Sequence, residues 1–218
     1  MDNVGVSPSR SEDQNFLPNV LLFVLKMIWA NRNDWFFGVD MGIYHTTGTN
    51  IRVPVISDAF LSLGIERWKS KRQGRGRLSY VMWEENEIPL ILTLELVSHT
   101  YGNEYDEKME IYARLGVLYY IIYNPFWRRD CHQPFEVYKL VNGKYQLQSG
   151  EPYWMSEVGL GIGRYTMPLE PTQQEGLAWY DQQGNRYLTA EERSHQAQQR
   201  AERLAQRLRE LGEDPDQL

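Results

Sequence analysis

Apolar and polar positions along this chain follow two periods, and the switches between them delimit the elements. Residues 18 to 30 are apolar on most sides and open with Pro18 at a first-turn position, which predicts a buried helix. Residues 35 to 44 alternate: Phe37, Val39, Met41 and Ile43 share one face of a strand, Asp40 and Tyr44 the other. After the turn HTTGTN, residues 53 to 63 read as a second strand with Asp58 in its middle, on the face of Ile56 and Phe60. Residues 78 to 83 predict a third. Further on, 135 to 141 and 144 to 148 flank Asn142-Gly143, a strong hairpin signal, and are expected to extend one edge of the sheet. Residues 177 to 180 and 186 to 188 suggest a small final hairpin, and Thr189 with Glu192 forms a capping box for a helix running to about Leu211.

The centre of the pattern is residues 88 to 125, which read as strand, loop, helix, strand. Residues 88 to 97 are apolar or β-branched except Glu95, so a carboxylate sits near the C-terminal end of a buried strand. Asn103 is placed to cap a helix whose first turn carries Glu104, Asp106 and Glu107, and Gly116 ends it. At about 100° per residue, Tyr105, Met109 and Tyr112 form its apolar stripe. Lys108 falls between Tyr112 and Leu115 on that same side, and helical side chains lean toward the N-terminus, which aims its ammonium at the end of the Glu95 strand. Residues 116 to 123 complete a βαβ unit with parallel strands and a right-handed crossover. Lys108 read alone is equally well a snorkelling lysine paired structurally with Glu95. Asp58 changes that balance, because aspartate is a poor strand former and an unpaired buried carboxylate is costly; it is either solvated at a cleft or bound to a cation.

Composition narrows the class. The 218 residues, 42% hydrophobic and 13% aromatic, suffice for one domain of ordinary size. The single cysteine, Cys131, cannot form an internal disulfide, the first residues are polar and acidic, and no apolar run reaches the roughly 20 residues a membrane span requires. These features point to the cytoplasm and to no membrane role. A net charge of −6 argues against electrostatic coating of nucleic acid but allows a local basic surface. The one strongly basic stretch, residues 64 to 77, carries Arg67, Lys69, Lys71, Arg72, Arg75 and Arg77 around Trp68. It reads either as a solvated hairpin loop or as a phosphate-contacting loop with an aromatic for stacking.

Asp58, Glu95 and Lys108 are the residue types of metal-assisted phosphodiester hydrolysis. Two carboxylates about 4 Å apart repel by roughly 4 kcal/mol at an effective dielectric near 20, and a divalent cation between them reverses the sign. Magnesium is the natural hard ion, with manganese as its substitute. An ammonium beside it can hold the attacking water and offset charge on the phosphoryl oxygens.

In these pieces, VISDAFLSLGIE around Asp58, LTLELVS around Glu95, YDEKMEIYARLGVLYYIIYNP around Lys108, and the later FEVYKLVNGKY, the chain resembles the Uma-type restriction-endonuclease-like proteins of the PD-(D/E)XK nuclease superfamily. The resemblance implies an α/β fold, a restriction-endonuclease-like mixed sheet flanked by helices, with a metal site made by Asp58 and Glu95. Ser57 stands where the superfamily's motif has proline, and Val97 where it usually has lysine; the Uma-type proteins look as though they supply that lysine from the following helix, here Lys108. The expected organisation is a disordered N-terminus over 1–15, a nuclease-like domain over 16–188 and a helical tail over 189–218. The expected activity is a magnesium-dependent endonuclease acting on DNA. The rival reading is a catalytically silent module of the same fold that binds DNA or a protein. In the tail, Ala197, Ala201, Leu204, Leu208 and Leu211 form a heptad seam that suits pairing with a second copy or packing on its own domain. Asp40 is a weaker candidate third carboxylate. His45, His99, His132 and His195 are scattered, and no glycine-rich phosphate loop is present.

Overall fold

In the computed structural model, residues 12–47, 53–69, 76–97, 103–125, 132–168, 174–212 and 214 are described. A seven-stranded mixed sheet is built from β1 (Trp35–Tyr44), β2 (Val55–Leu63), β3 (Tyr80–Val81), β4 (Leu92–Leu96), β5 (Tyr119–Tyr123), β6 (Phe135–Val141) and β7 (Lys144–Leu147), in the order β3-β1-β2-β4-β5-β6-β7. A three-stranded sheet holds β8 (Tyr153–Met155), β9 (Leu160–Thr166) and β10 (Glu175–Tyr180), with β9 central. The helices are α1 (Glu12–Ile28), α2 (Glu107–Arg114) and α3 (Ala190–Glu210). The mixed sheet with flanking helices is the architecture the resemblance implies.

Alternation along the strands feeds two cores. On one face, Phe37, Leu61, Leu94 and Ile121 pack with Leu21 and Leu25 of α1 and with Ile162 and Trp179 of the small sheet. Trp179 donates its indole N–H to the Leu21 carbonyl at 2.9 Å, which satisfies the one polar atom of a fully buried ring and ties the small sheet to α1. On the other face, Phe60, Tyr120 and Ile122 pack with Tyr112 and Leu115 of α2. The βαβ unit is formed as expected: β4 and β5 run parallel, Leu92 beside Tyr119 through Leu96 beside Tyr123, with α2 between them in sequence.

Several boundaries differ from expectation for local reasons. α1 begins at Glu12, so Pro18 lies inside it rather than at its first turn, and residues 12–15 belong to a helix rather than to a disordered terminus; residues 1–11 lie outside the described residues. The strand expected over 88–97 is shortened to Leu92–Leu96, since Pro89 brings no N–H to a ladder. Asn103 does not cap α2: it takes a positive φ of 64°, and its carbonyl accepts from the Asp106 and Lys108 amides, making a turn before a helix of eight residues. The strand expected over 78–83 keeps only Tyr80 and Val81, with Met82–Glu84 forming a 3₁₀ turn.

The Asn142-Gly143 hairpin is present, with φ of 51° and 76° as the tight turn requires, and it does extend one edge of the large sheet. The expected final hairpin is reduced to one bridge between Tyr180 and Arg186, because β10 pairs with β9 instead. β9 is hidden in sequence by Gly161 and Gly163, which are depleted in strands generally. Here a Cβ on Gly163 would come within 2.9 Å of the Pro152 backbone, so close approach explains the glycine. α3 opens with the predicted capping box, Thr189 Oγ1 accepting from the Glu192 amide and Glu192 from the Thr189 amide. Beyond Glu192 most of the helix is exposed, including Leu204. No helix among the described residues is long and apolar enough to cross a membrane.

Candidate active site

β2 and β4 run antiparallel with Leu61 opposite Leu92, Phe60 opposite Thr93 and Ala59 opposite Leu94. One more step along this register sets Asp58 opposite Glu95. Asp58 accepts the Leu96 amide at 2.8 Å through Oδ2, so the aspartate also fastens the end of β4. Leu94 and Leu96 point into the α1 core, which leaves Glu95 on the opposite face, under α2.

There Glu95 is wholly buried, 0% exposed, and α2 supplies both of its partners from one turn. Lys108 Nζ donates to Oε2 at 2.6 Å, and the Tyr112 hydroxyl donates to Oε1 at 2.6 Å. The i, i+4 spacing puts the two donors on one helix face. Lys108 is therefore where the helical projection aims it. Tyr112 is a residue that sequence reasoning missed: its place in the apolar stripe is correct, and the signal was its spacing of four from Lys108. Ser57 is fully buried, and its hydroxyl donates to the Ala59 carbonyl at 2.7 Å, so the serine in place of proline is satisfied within the sheet.

Burial pushes the Glu95 carboxyl up to about 7; the Lys108 charge pulls it down, and the Asp58 charge adds to the rise. Lys108 is also desolvated, which alone would lower its affinity for a proton, but Glu95 and then Asp58 and Glu104 outweigh this and raise it. Lys108 thus stays cationic at neutral pH, and the proton that titrates is the one on Glu95. Burial, reinforced by Glu95, holds the Tyr112 hydroxyl well above its ordinary value, so it remains a donor.

Asp40 is the residue of β1 that the register sets opposite Asp58, between the pairs Val39–Ala59 and Met41–Ser57. It takes a φ of 50° and is exposed, and no group of three or more His, Cys, Asp or Glu suited to a metal ion occurs among the described residues. The structure does not bring Asp40 into such a group. His99 and Cys131 lie outside the described residues. His45 is buried beside Thr47, His132 stacks on Tyr105 at 3.7 Å near Glu136, and His195 is exposed on α3.

Asp58 and Glu95 are the residues that could hold one hard cation. A carboxylate offers about four lone-pair sites, and Lys108 and Tyr112 take one on each oxygen of Glu95, leaving capacity on both. Asp58 is half-buried. Two carboxylates with the remaining positions filled by water and a phosphate oxygen is a characteristic magnesium environment.

The model of the Uma2 family, described as putative restriction endonuclease, matches residues 6–170. Among solved structures, the chain is similar to one described as a putative nuclease belonging to DUF820 from Anabaena variabilis ATCC 29413, with a TM-score of 0.47, 9% identity, and coverage of 68% of this chain and 73% of that one. No curated protein matches the chain in sequence.

Proposed function

We propose that this chain, which belongs to the Uma2 putative restriction endonuclease family, is a magnesium-dependent endonuclease that hydrolyses DNA phosphodiester bonds at Asp58, Glu95 and Lys108. The observation that carries the reading is the fully buried Glu95, opposite a second carboxylate and bonded at 2.6 Å by an ammonium. A structural ion pair needs no Asp58 beside it, since that like charge raises the cost of ionising Glu95.

In this reading Asp58 and Glu95 would hold the cation, which would supply Lewis-acid polarisation of the phosphoryl group and a more acidic water. Tyr112 fixes the orientation of Glu95 from one side. Lys108 fixes it from the other, and its remaining N–H donors can orient the attacking water and bind a non-bridging phosphoryl oxygen as charge develops. The test is plasmid nicking by wild type and Glu95→Gln with magnesium, with manganese and with chelator. The wild type is expected to cut with either metal, and the variant to lose at least about a hundredfold in rate. Equal nicking by both would sink the reading and leave the catalytically silent binding module.

The exposed seam of α3 supports self-association as part of the same proposal: on this helix of 21 residues Leu204 is more than half exposed, as is Leu211 at its C-cap. Truncation after Leu188 is expected to lower the mass seen by light scattering while the core stays folded. An unchanged mass would point to a helix that acts alone.

A further inference from the structure

The basic stretch is not uniform. Arg77 is nearly buried, 9% exposed, and places Nε on Glu85 Oε1 at 2.9 Å and Nη2 on Oε2 at 3.2 Å. Lys69 reaches the same Oε1 at 3.1 Å. Arg67, 7% exposed, is different: its guanidinium lies 3.7 Å from the centroid of Trp35 and 4.7 Å from that of Trp68, and no carboxylate or other acceptor engages it among the described residues. Lys69 and Arg77 thus share one carboxylate, and Arg67 has none among the described residues. Burial, followed by repulsion from Arg77, weakens Arg67's hold on its proton, as expected of a desolvated charge without a counter-ion. Trp68 meanwhile is 71% exposed.

These side chains line a groove of about 480 Å³ against the outer side of β1, from Phe36 to Met41. β3 pairs with β1 only at Ile43 and Tyr44, so no strand among the described residues covers this part of it. The groove ends next to Asp40, which the register sets opposite Asp58. Four residues of strand, about 13 Å, separate Phe36 from Asp40, roughly the rise of three to four stacked nucleotides.

We propose that this groove holds an unpaired polynucleotide strand flanking the scissile phosphodiester, with Arg67 taking a backbone phosphate and Trp68 stacking a base. The assignment rests on the nuclease reading and names the form of its substrate. An exposed indole has a use for a strand whose base faces are open and none for an intact duplex, where those faces are already stacked. Arg67, which no carboxylate engages among the described residues, supplies the sequence-independent part of binding.

The test is fluorescence anisotropy of labelled oligo(dT), oligo(rU) and a hairpin duplex of equal length, with the full chain in chelator so that nothing is cut. Trp68→Ala is expected to weaken binding of single strands, DNA, RNA or both, by about tenfold or more and to leave the duplex within about twofold. Arg67→Met should flatten the dependence of log K on log salt by about 0.7 for single strands. Should Arg67→Met fail to fold by circular dichroism, the exposed Trp68 carries the test alone. Unchanged single-strand affinity in Trp68→Ala, an equal loss on the duplex, or competition by polyglutamate as effective as by oligo(dT) each overturns the proposal. The two readings fail separately. A wild type that cuts plasmid while Trp68→Ala binds normally removes the groove and keeps the nuclease. A wild type as inert as Glu95→Gln, whose oligonucleotide binding still needs Trp68, removes the nuclease and keeps the groove.

Discussion

Two buried glutamates, Glu85 just after the edge strand β3 and Glu95 in β4, are each bonded to a cation at hydrogen-bond distance, and their proton affinities are pushed in opposite directions. Glu85 faces the paired N–H groups of Arg77 and the ammonium of Lys69. Burial pulls its carboxyl up, but the bonds and charges of Arg77 and then Lys69 outweigh this and hold it below its usual range. Glu95 has one cation, Lys108, is more deeply buried, and has Asp58 adding negative charge; its carboxyl rises to about 7. The first arrangement is over-compensated and stable as it stands. The second carries a like charge beside its carboxylate, as the proposed cation site requires.

Neutralising the cation of each pair breaks this comparison most directly. Arg77→Met removes both of the paired bonds to Glu85 and the stacking of the guanidinium on Phe36, 4.7 Å away. A loss of about 3 to 5 kcal/mol is expected, or on the order of 10 °C in thermal midpoint for a chain of this size. Lys108→Met keeps the bulk of the stem, and Glu95 can answer by holding its proton, so the stability loss should stay under about 2 kcal/mol. Cleavage should fall about a hundredfold or more. If instead Lys108→Met melts as early as Arg77→Met and still cuts, Glu95 is a structural partner of the same kind as Glu85.

Much of the Glu95 side was legible in sequence because it obeys short periods. A lone carboxylate in an apolar strand, an aspartate in a strand, and a lysine on the apolar side of an amphipathic helix are each local anomalies, and the βαβ connection brings two of them together. The Glu85 side was not legible. Arg77 belongs to a stretch with no apolar periodicity and was expected among solvated or phosphate-contacting residues, yet it is buried by a partner eight positions away across a short strand and a 3₁₀ turn. That pairing depends on loop geometry, which no period encodes. The same reason hid β9, whose glycines are explained only by the Pro152 and Tyr180 atoms that approach them. Tyr112 was placed on the correct face but read as packing alone, since an apolar stripe does not reveal where a hydroxyl points.

The comparison sharpens further in its pH dependence. The folded chain holds Glu95's proton up to about pH 7, against an ordinary value of 4.5, so this group's contribution to stability is fully present below pH 4.5 and is lost as pH rises through about 7. The loss is on the order of 3 kcal/mol at full expression. Glu85, held below its usual range, contributes in the opposite sense: its stabilisation is present above the ordinary value and is lost toward acid. A cation shared by Asp58 and Glu95 requires the carboxylate, so metal binding must displace the Glu95 proton. Millimolar magnesium should therefore raise the wild-type thermal midpoint by a few degrees at pH 8, by much less at pH 5, and by almost nothing at either pH in Glu95→Gln. In Glu85→Gln the magnesium response should keep its size and pH dependence, though the baseline midpoint is lower. A magnesium shift that is equal at pH 5 and pH 8, or that survives Glu95→Gln, would place the cation elsewhere and leave the raised carboxyl of Glu95 as a consequence of burial alone.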